Sequence, residues 1–316
     1  MLQNSFNCLI IDYMHPSIVP LLEALGITVS YQPEIKATAV KTILPDFNGL
    51  IVRSKLFISE EVLAGAGQLQ FIARAGAGVD NIDEAALTRR NIALLNAPEG
   101  NSDAVGEFTL GLLLALFRNV VKANDEVRQS IWLREENRGE EIMGKTVGII
   151  GYGNMGRAFA KRLAGFNCEV LAYDKNPAIL PDNFALLVSL TELFNKADVV
   201  SFHIPFTPEN KHLGNEQFFN LFRKNIWVLN TARGEVINQT DLVALIQAGK
   251  IKGAALDVLE NEKLSTLTPV QKVNFEYLSK AENVVLTPHI GGWSHQSYVK
   301  INRVLVKKIQ AFLQQH

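Results

Sequence analysis

Several polar side chains stand where short apolar runs of this 316-residue sequence end. Arg233 closes WVLNTARG (227–234). Asp257 and Glu262 follow GAALDV (253–258), and His289 sits in Thr287-Pro288-His289-Ile290-Gly291-Gly292 after VVL. An arginine at the end of a buried strand can hold a carboxylate through two parallel hydrogen bonds. A histidine exchanges protons reversibly near neutral pH, and Gly291 and Gly292 let a ligand come close. Earlier in the chain, Gly151-Tyr152-Gly153-Asn154-Met155-Gly156 follows the apolar run 147–150 and opens the helical pattern 157–166, and Asp174 ends the next apolar run. This is the context in which G-x-G-x-x-G reads as a dinucleotide fingerprint. Gly151 allows the tight turn, Gly153 lets the backbone approach a pyrophosphate at the positive end of a helix, and Gly156 lets helix and strand pack closely. Asp174 can accept hydrogen bonds from both adenine-ribose hydroxyls and would repel a 2′-phosphate, which favours NAD over NADP; Lys175 beside it offsets part of that repulsion. An arginine to anchor a carboxylate, a histidine to take a hydroxyl proton and a nicotinamide to take a hydride are the parts needed to oxidise a 2-hydroxy acid.

Short apolar runs alternate with helical patterns and set these groups at strand ends. Residues 8–12, 49–53, 71–80 and 92–96 form one series; 147–150, 169–174, 198–205, 227–234, 253–258 and 283–289 form a second of six strands. Such βα alternation implies parallel sheets covered by helices. Between the two series, the loop 97–101 precedes a helical segment predicted over Ser102–Trp132. Residues 294–316 read as a closing amphipathic helix, with Val299, Ile301, Val304, Leu305, Ile309 and Phe312 in helical period. His203, after DVVSF, is the one serious rival to His289; its neighbour Pro205 points to a cofactor cleft instead.

Composition narrows the alternatives. A chain that is 47% hydrophobic and 20% charged supports a sizeable core. Its 31 Lys and Arg balance 32 Asp and Glu, so no general field favours nucleic acid or an anionic membrane. The apolar helical stretch 110–117 is far shorter than the ~20 residues of a membrane span. The N-terminus has neither the basic region nor the cleavage site of a signal peptide. Two cysteines, Cys8 and Cys168, suit reduced thiols in the cytoplasm. No metal-ligand spacing and no serine-nucleophile elbow occurs, so no metal is expected.

Seven ordered blocks resemble the D-isomer-specific 2-hydroxyacid dehydrogenase family: GLIVRS (49–54), RAGAGVDNID (74–83), NAPEGNS (96–102), GYGNMGR (151–157), NTARG (230–234), GAALDV (253–258) and TPHIGG (287–292). The resemblance implies that Arg233 binds the substrate carboxylate and C2 oxygen, and that His289, paired with Glu262, is the acid/base. It implies that backbone amides at Ala77 and Gly78 help hold the carboxylate. Asn154 and Met155 would touch the pyrophosphate, Asp174 the ribose and Asp257 the nicotinamide carboxamide. Ile204, Pro205, Thr231 and Ala232 would line the cofactor cleft. Arg53, Ser54, Arg74 and Asn101 match positions lining the substrate in members that oxidise D-3-phosphoglycerate, and Arg134 matches an arginine donated across a dimer. Two departures stand out: the segment 263–281 has no family counterpart, and Trp293 replaces a small residue.

The resemblance implies two doubly wound parallel-sheet α/β domains. A Rossmann cofactor domain (99–286) is inserted into a discontinuous flavodoxin-like substrate domain (1–98 and 287–316), with substrate and cofactor meeting in the cleft. The expected assembly is a homodimer and the expected reaction NAD-dependent, on D-3-phosphoglycerate. A reductase of glyoxylate, hydroxypyruvate or another 2-keto acid is the first alternative, and an NAD-sensing protein like the family's corepressors the second. Ending at residue 316, the chain is expected to lack the serine-sensing domain that longer members append.

Overall fold

The computed structural model describes residues 6–315. They divide into two compact units, one of residues 6–101 and 293–315, the other of residues 102–292.

The first unit holds five parallel strands: β1 (Phe6–Ile10), β2 (Ile27–Tyr31), β3 (Gly49–Val52), β4 (Phe71–Arg74) and β5 (Ala93–Asn96). Their order, β2-β1-β3-β4-β5, is the flavodoxin-like arrangement. β2 is an addition to the predicted series. Its sequence, ITVSY, mixes polar and apolar residues because it lies at the sheet edge and buries only Ile27 fully. Both faces of the sheet are covered, which is why β3 is buried along its whole length. The helices Ile18–Glu23 and His295–Leu313 pack together, and Ile301, Leu305 and Ile309 join Cys8, Ile10, Ile51 and Ala73 in one core. The C-terminal helix thus completes the N-terminal unit. It starts at a capping box, in which Ser294 and Ser297 exchange hydrogen bonds.

The second unit holds seven parallel strands: β6 (Thr146–Ile150), β7 (Glu169–Tyr173), β8 (Leu186–Leu187), β9 (Val199–Phe202), β10 (Ile226–Asn230), β11 (Ile251–Leu256) and β12 (Val284–Leu286). The order β12-β11-β10-β9-β6-β7-β8 runs outward in both directions from β6 and β9. Six strands are those read from the sequence; β8, two residues long, is the seventh. The order reverses between β6 and β9, and in open sheets of this kind the crevice at such a switch point is where ligands bind.

The long helix differs from its expected form. It begins at Pro98, not Ser102, because proline suits the first helical position. It ends at Phe117, and a second helix runs Val120–Arg128 at 63° to the first. The break falls at Asn119, which adopts a left-handed φ of 51°. Residues 131–133 lie beyond the helix in irregular backbone. The segment 263–281 forms a helix at Pro269–Leu278, opened by a capping box between Thr268 and Gln271. Among the described residues no single helix is long and apolar enough to cross a membrane.

Candidate active site

In the second unit the chain leaves β6 through Gly151, whose φ is +92°; a Cβ there would lie 2.7 Å from the carbonyl oxygen of His203, the residue after β9. Gly156 is tighter, since a Cβ would fall 2.1 Å from the Gly151 carbonyl oxygen. Gly153 differs in kind: nothing lies within 4 Å of an added Cβ. It caps the helix Asn154–Leu163 without any side chain bonding the helix's first N–H groups. An open glycine before uncapped N–H groups is a cradle for an anion, and Asn154 and Met155 stand in the first turn above it.

Asp174, one residue past β7, folds back on this turn. Its carboxylate accepts the Tyr152 N–H at 2.7 Å and the Asn176 N–H at 2.9 Å. It therefore fixes the turn and keeps acceptor capacity for a ligand hydroxyl. Three residues that the sequence reading did not assign hold the same corner. The buried Tyr152 donates its hydroxyl to Asp182 at 2.7 Å, Arg157 pairs with Asp182, and the Arg157 guanidinium lies 4.6 Å from the Tyr152 ring centroid. Burial and the Asp182 charge push the Tyr152 phenol well above its usual range.

His203, on the other side of the switch point, is buried. Its Nε2 lies 2.8 Å from Ser201 Oγ, its ring packs against Phe159, and burial pulls the imidazole down to about 3. It is a neutral wall of the turn and unsuited to proton transfer near neutral pH. Ile204 and Pro205 continue this wall; the Pro205 carbonyl accepts from Asn210 at 2.9 Å.

Thr231, Ala232 and Arg233 leave β10 as a turn clamped by the buried Asn230, which accepts the Ala232 N–H at 3.0 Å and donates to the Arg233 carbonyl at 2.9 Å. Thr231 Oγ1 lies 2.9 Å from Thr109 Oγ1, and Arg233 donates to the Ala232 carbonyl at 2.6 Å.

Asp257 organises the next strand end. It is buried, and its carboxylate accepts from Thr287 Oγ1 at 2.6 Å, the Ile290 N–H at 3.0 Å and the Gly291 N–H at 2.7 Å. Its own carbonyl accepts the His289 N–H at 2.7 Å. Asp257 thus builds the Thr287–Gly292 turn, leaving about one of a carboxylate's four acceptor positions for the carboxamide implied by the resemblance. The turn holds His289 at a left-handed φ of 57°, an uncommon conformation that three hydrogen bonds over-determine. From there His289 Nδ1 reaches Glu262, 2.9 Å from Oε1 and 3.0 Å from Oε2. The pair is about half exposed, with side-chain accessibilities of 44% and 46%. With Nδ1 committed to the carboxylate, Nε2 is the nitrogen free to exchange a proton.

The remaining candidates lie in the first unit, apart from Arg134. Arg53 follows β3 and Arg74 ends β4; Val52 and Arg74 are paired in register, so both cations stand at the carboxyl end of adjacent strands. The Arg53 N–H donates to Asp12 at 2.7 Å and its guanidinium to the Tyr13 carbonyl at 3.1 Å. That guanidinium lies 4.3 Å from the Trp293 ring centroid and 5.6 Å from that of Tyr298. Ser54 is exposed beside it. Ala77 and Gly78 continue the glycine loop after β4, with the Ala77 carbonyl accepting from Asn96 at 2.8 Å. Asn101 Oδ1 is buried without a protein partner among the described residues. Arg134 is exposed in the irregular stretch after the second helix of the broken pair.

A switch-point glycine turn with an acid at the neighbouring strand end, and a histidine–carboxylate pair in loops that follow other strands of the same sheet, are the parts of a nicotinamide-dinucleotide-binding oxidoreductase unit. The description "D-isomer specific 2-hydroxyacid dehydrogenase, NAD binding domain" matches residues 110–291, and the chain belongs to that family and binds NAD. The chain is 34% identical over 269 residues to a hydroxypyruvate reductase of Thermotoga maritima, covering 84% of this chain and 85% of that one. It is 32% identical over 308 residues to a D-3-phosphoglycerate dehydrogenase of Methanocaldococcus jannaschii, covering 96% of this chain but only 57% of that protein's length. Among solved structures, the D-lactate dehydrogenase of Aquifex aeolicus, complexed with NAD and lactic acid, superposes with a TM-score of 0.83 at 26% identity, covering 98% and 96% of the two chains.

Proposed function

We propose that this chain interconverts a D-2-hydroxy acid and its 2-keto acid, with D-3-phosphoglycerate and 3-phosphohydroxypyruvate as the substrate pair. The observation carrying the reaction is the His289–Glu262 pair, whose Nδ1–carboxylate contact of 2.9 Å leaves Nε2 outward on a turn rigidified by Asp257. Bound NAD supplies the acceptor for the hydride that leaves C2. Gly151, Gly153, Gly156 and the Asn154–Met155 helix start would hold its pyrophosphate, Asp174 its ribose, and Gly291 and Gly292 would contribute to the cofactor site. Arg233 binds the carboxylate and C2 oxygen and so fixes which face of C2 is presented. His289 Nε2 removes the hydroxyl proton as the C2–H bond breaks and the carbonyl forms. Glu262 orients the imidazole through Nδ1. In the reverse direction His289 returns that proton to the carbonyl oxygen.

The phosphate assignment rests on Arg53 and Arg74 at the carboxyl ends of adjacent strands, two guanidinium groups of the kind that bind a phosphate dianion. In this reading Ala77, Gly78, Ser54 and Asn101 contact the substrate, Arg134 comes from a second copy in a homodimer, and the two unpaired cysteines fit a cytoplasmic setting. One observation favours a second reading, a reductase of an unphosphorylated 2-keto acid: Trp293 covers one face of Arg53, and the small cavity beside them is lined by Met14, Ala75, Tyr298 and Ile301. NADH consumption against a panel of 3-phosphohydroxypyruvate, hydroxypyruvate, glyoxylate and pyruvate separates the two. The proposal expects the highest kcat/KM on the phosphorylated acid; a preference for any other member overturns the phosphate assignment. Inactivity on the whole panel with NADH still bound would favour an NAD-sensing role.

A further inference from the structure

Apart from His289–Glu262, the second unit carries another histidine–carboxylate pair, close to the site but outside it. His212 Nε2 lies 2.5 Å from Glu260 Oε1, with side-chain accessibilities of 36% and 14%. The two residues are far apart in sequence and belong to loops that meet at the strand ends. The first loop contains Pro205, held through Asn210, and then His212 itself at a left-handed φ of 53°. The second contains Arg233 and runs on through 238. The third contains Glu260 and, two residues later, Glu262.

Backbone contacts fasten these loops in series. The His212 N–H donates to the Glu235 carbonyl at 2.8 Å, the Gly214 N–H to Val236 at 2.9 Å, and the Asn238 N–H back to Gly214 at 3.0 Å. Gly234 is pressed against the third loop so closely that a Cβ would fall 1.9 Å from the Leu259 carbonyl oxygen. The Glu260 N–H donates to Gln239, a buried side chain at the start of the helix Gln239–Gln247. The His212–Glu260 contact links the first loop directly to the third and closes the ring. Arg233 precedes Gly234 in the second loop, and Glu262 follows Glu260 by two residues in the third. Burial raises the proton affinity of Glu260, with His212 opposing and Glu235 adding to the rise. A carboxyl group so placed loses its solvation and keeps its position through its partner.

We propose that His212 and Glu260 are positioning residues for the reaction: their contact sets the placement of Arg233 and Glu262 relative to the cofactor turn. Neither touches the reacting atoms. The claim rests on the dehydrogenase reading of Arg233, Glu262 and His289, and adds a pair which that reading does not contain.

The test is steady-state reduction of the preferred 2-keto acid by NADH in His212→Ala, His212→Gln, Glu260→Ala and the double alanine variant, with NADH affinity and melting temperature measured for each. Displacement of an anchoring group by a fraction of an ångström predicts a kcat loss of about tenfold in each alanine variant. NADH affinity should stay within about twofold, and the double variant should be no worse than the poorer single one, because both remove the same contact. His212→Gln, whose amide can still donate to Glu260, should recover most of the loss. It also carries the comparison if an alanine variant does not fold. Unchanged kcat in folded variants, additive losses, or a loss that follows NADH affinity would each overturn the proposal. A wild-type chain that reduces no 2-keto acid would contradict the reaction itself, and the positioning role with it. An active wild type beside an equally active His212→Ala would contradict the pair alone.

Discussion

Burial of His203 makes a quantitative prediction about acid stability. The imidazole sits at the end of β9 beneath the cofactor turn, with Nε2 bonded to Ser201 and Nδ1 shut from solvent without a partner among the described residues. Burial pulls its pKa from 6.5 to about 3. The folded chain therefore keeps the ring neutral as pH falls, while the unfolded chain takes up a proton below about 6.5. A histidine with a lowered folded value costs nothing above the unfolded value and destabilises progressively as pH drops from there toward 3. Between pH 7 and pH 5 the difference is about one and a half pH units' worth of proton uptake, or about 2 kcal/mol. His203→Gln retains a hydrogen-bonding group for Ser201 and does not titrate. Urea unfolding at both pH values, followed by circular dichroism, should show the wild type losing about 2 kcal/mol more than the variant. Equal losses would refute the reasoning, because they would mean that His203 titrates alike in the folded and unfolded chain.

Three further outcomes follow from the same geometry. Gly156→Ala forces a Cβ to within 2.1 Å of the Gly151 carbonyl oxygen, so the helix must shift from the turn; calorimetry should show NADH affinity falling by at least about tenfold. Asp174→Ser removes the carboxylate expected to repel a 2′-phosphate, and the NADH-to-NADPH ratio of kcat/KM should fall by about tenfold. Since Arg157 is engaged by Asp182, a full reversal to NADPH is not expected. Asp257→Asn replaces an acceptor oxygen by an amide that faces the Ile290 or Gly291 N–H, loosening the His289 turn. The expected loss in kcat is about tenfold to a hundredfold; an unaltered kcat would contradict the organising role.

Much of this was legible in the sequence, for identifiable reasons. TVGII followed by GYGNMG declares a central strand and its turn, because a strand buried on both faces has few alternatives to aliphatic residues and glycine. His289 was nameable from its block and Glu262 from its place just after GAALDV, and the fold brings them to 2.9 Å. Edge elements were less legible. β2 buries little and so carries a diluted apolar signal, and β8 is too short to carry one. The break at Asn119 left no mark on the helical period, since asparagine differs from its neighbours here only in tolerating positive φ. Contacts between distant loops were invisible. Asp257 gives most of its carboxylate to a turn some thirty residues on, and His212 meets Glu260 across three loops. Only the folded chain brings such partners together. The TPHIGG block after Asp257 was the one available hint, as backbone N–H groups at glycines often need an acceptor.

In the proposed reaction His289, held by Glu262, moves the proton that accompanies hydride transfer. Single-turnover reduction of a 2-keto acid by bound NADH in wild type and His289→Ala tests it most directly, with NADH affinity measured alongside. Removal of a positioned acid/base predicts a rate lower by about a hundredfold or more, with NADH affinity within about twofold of wild type. A His289→Ala chain that binds NADH and reduces the keto acid at the wild-type rate would contradict the claim.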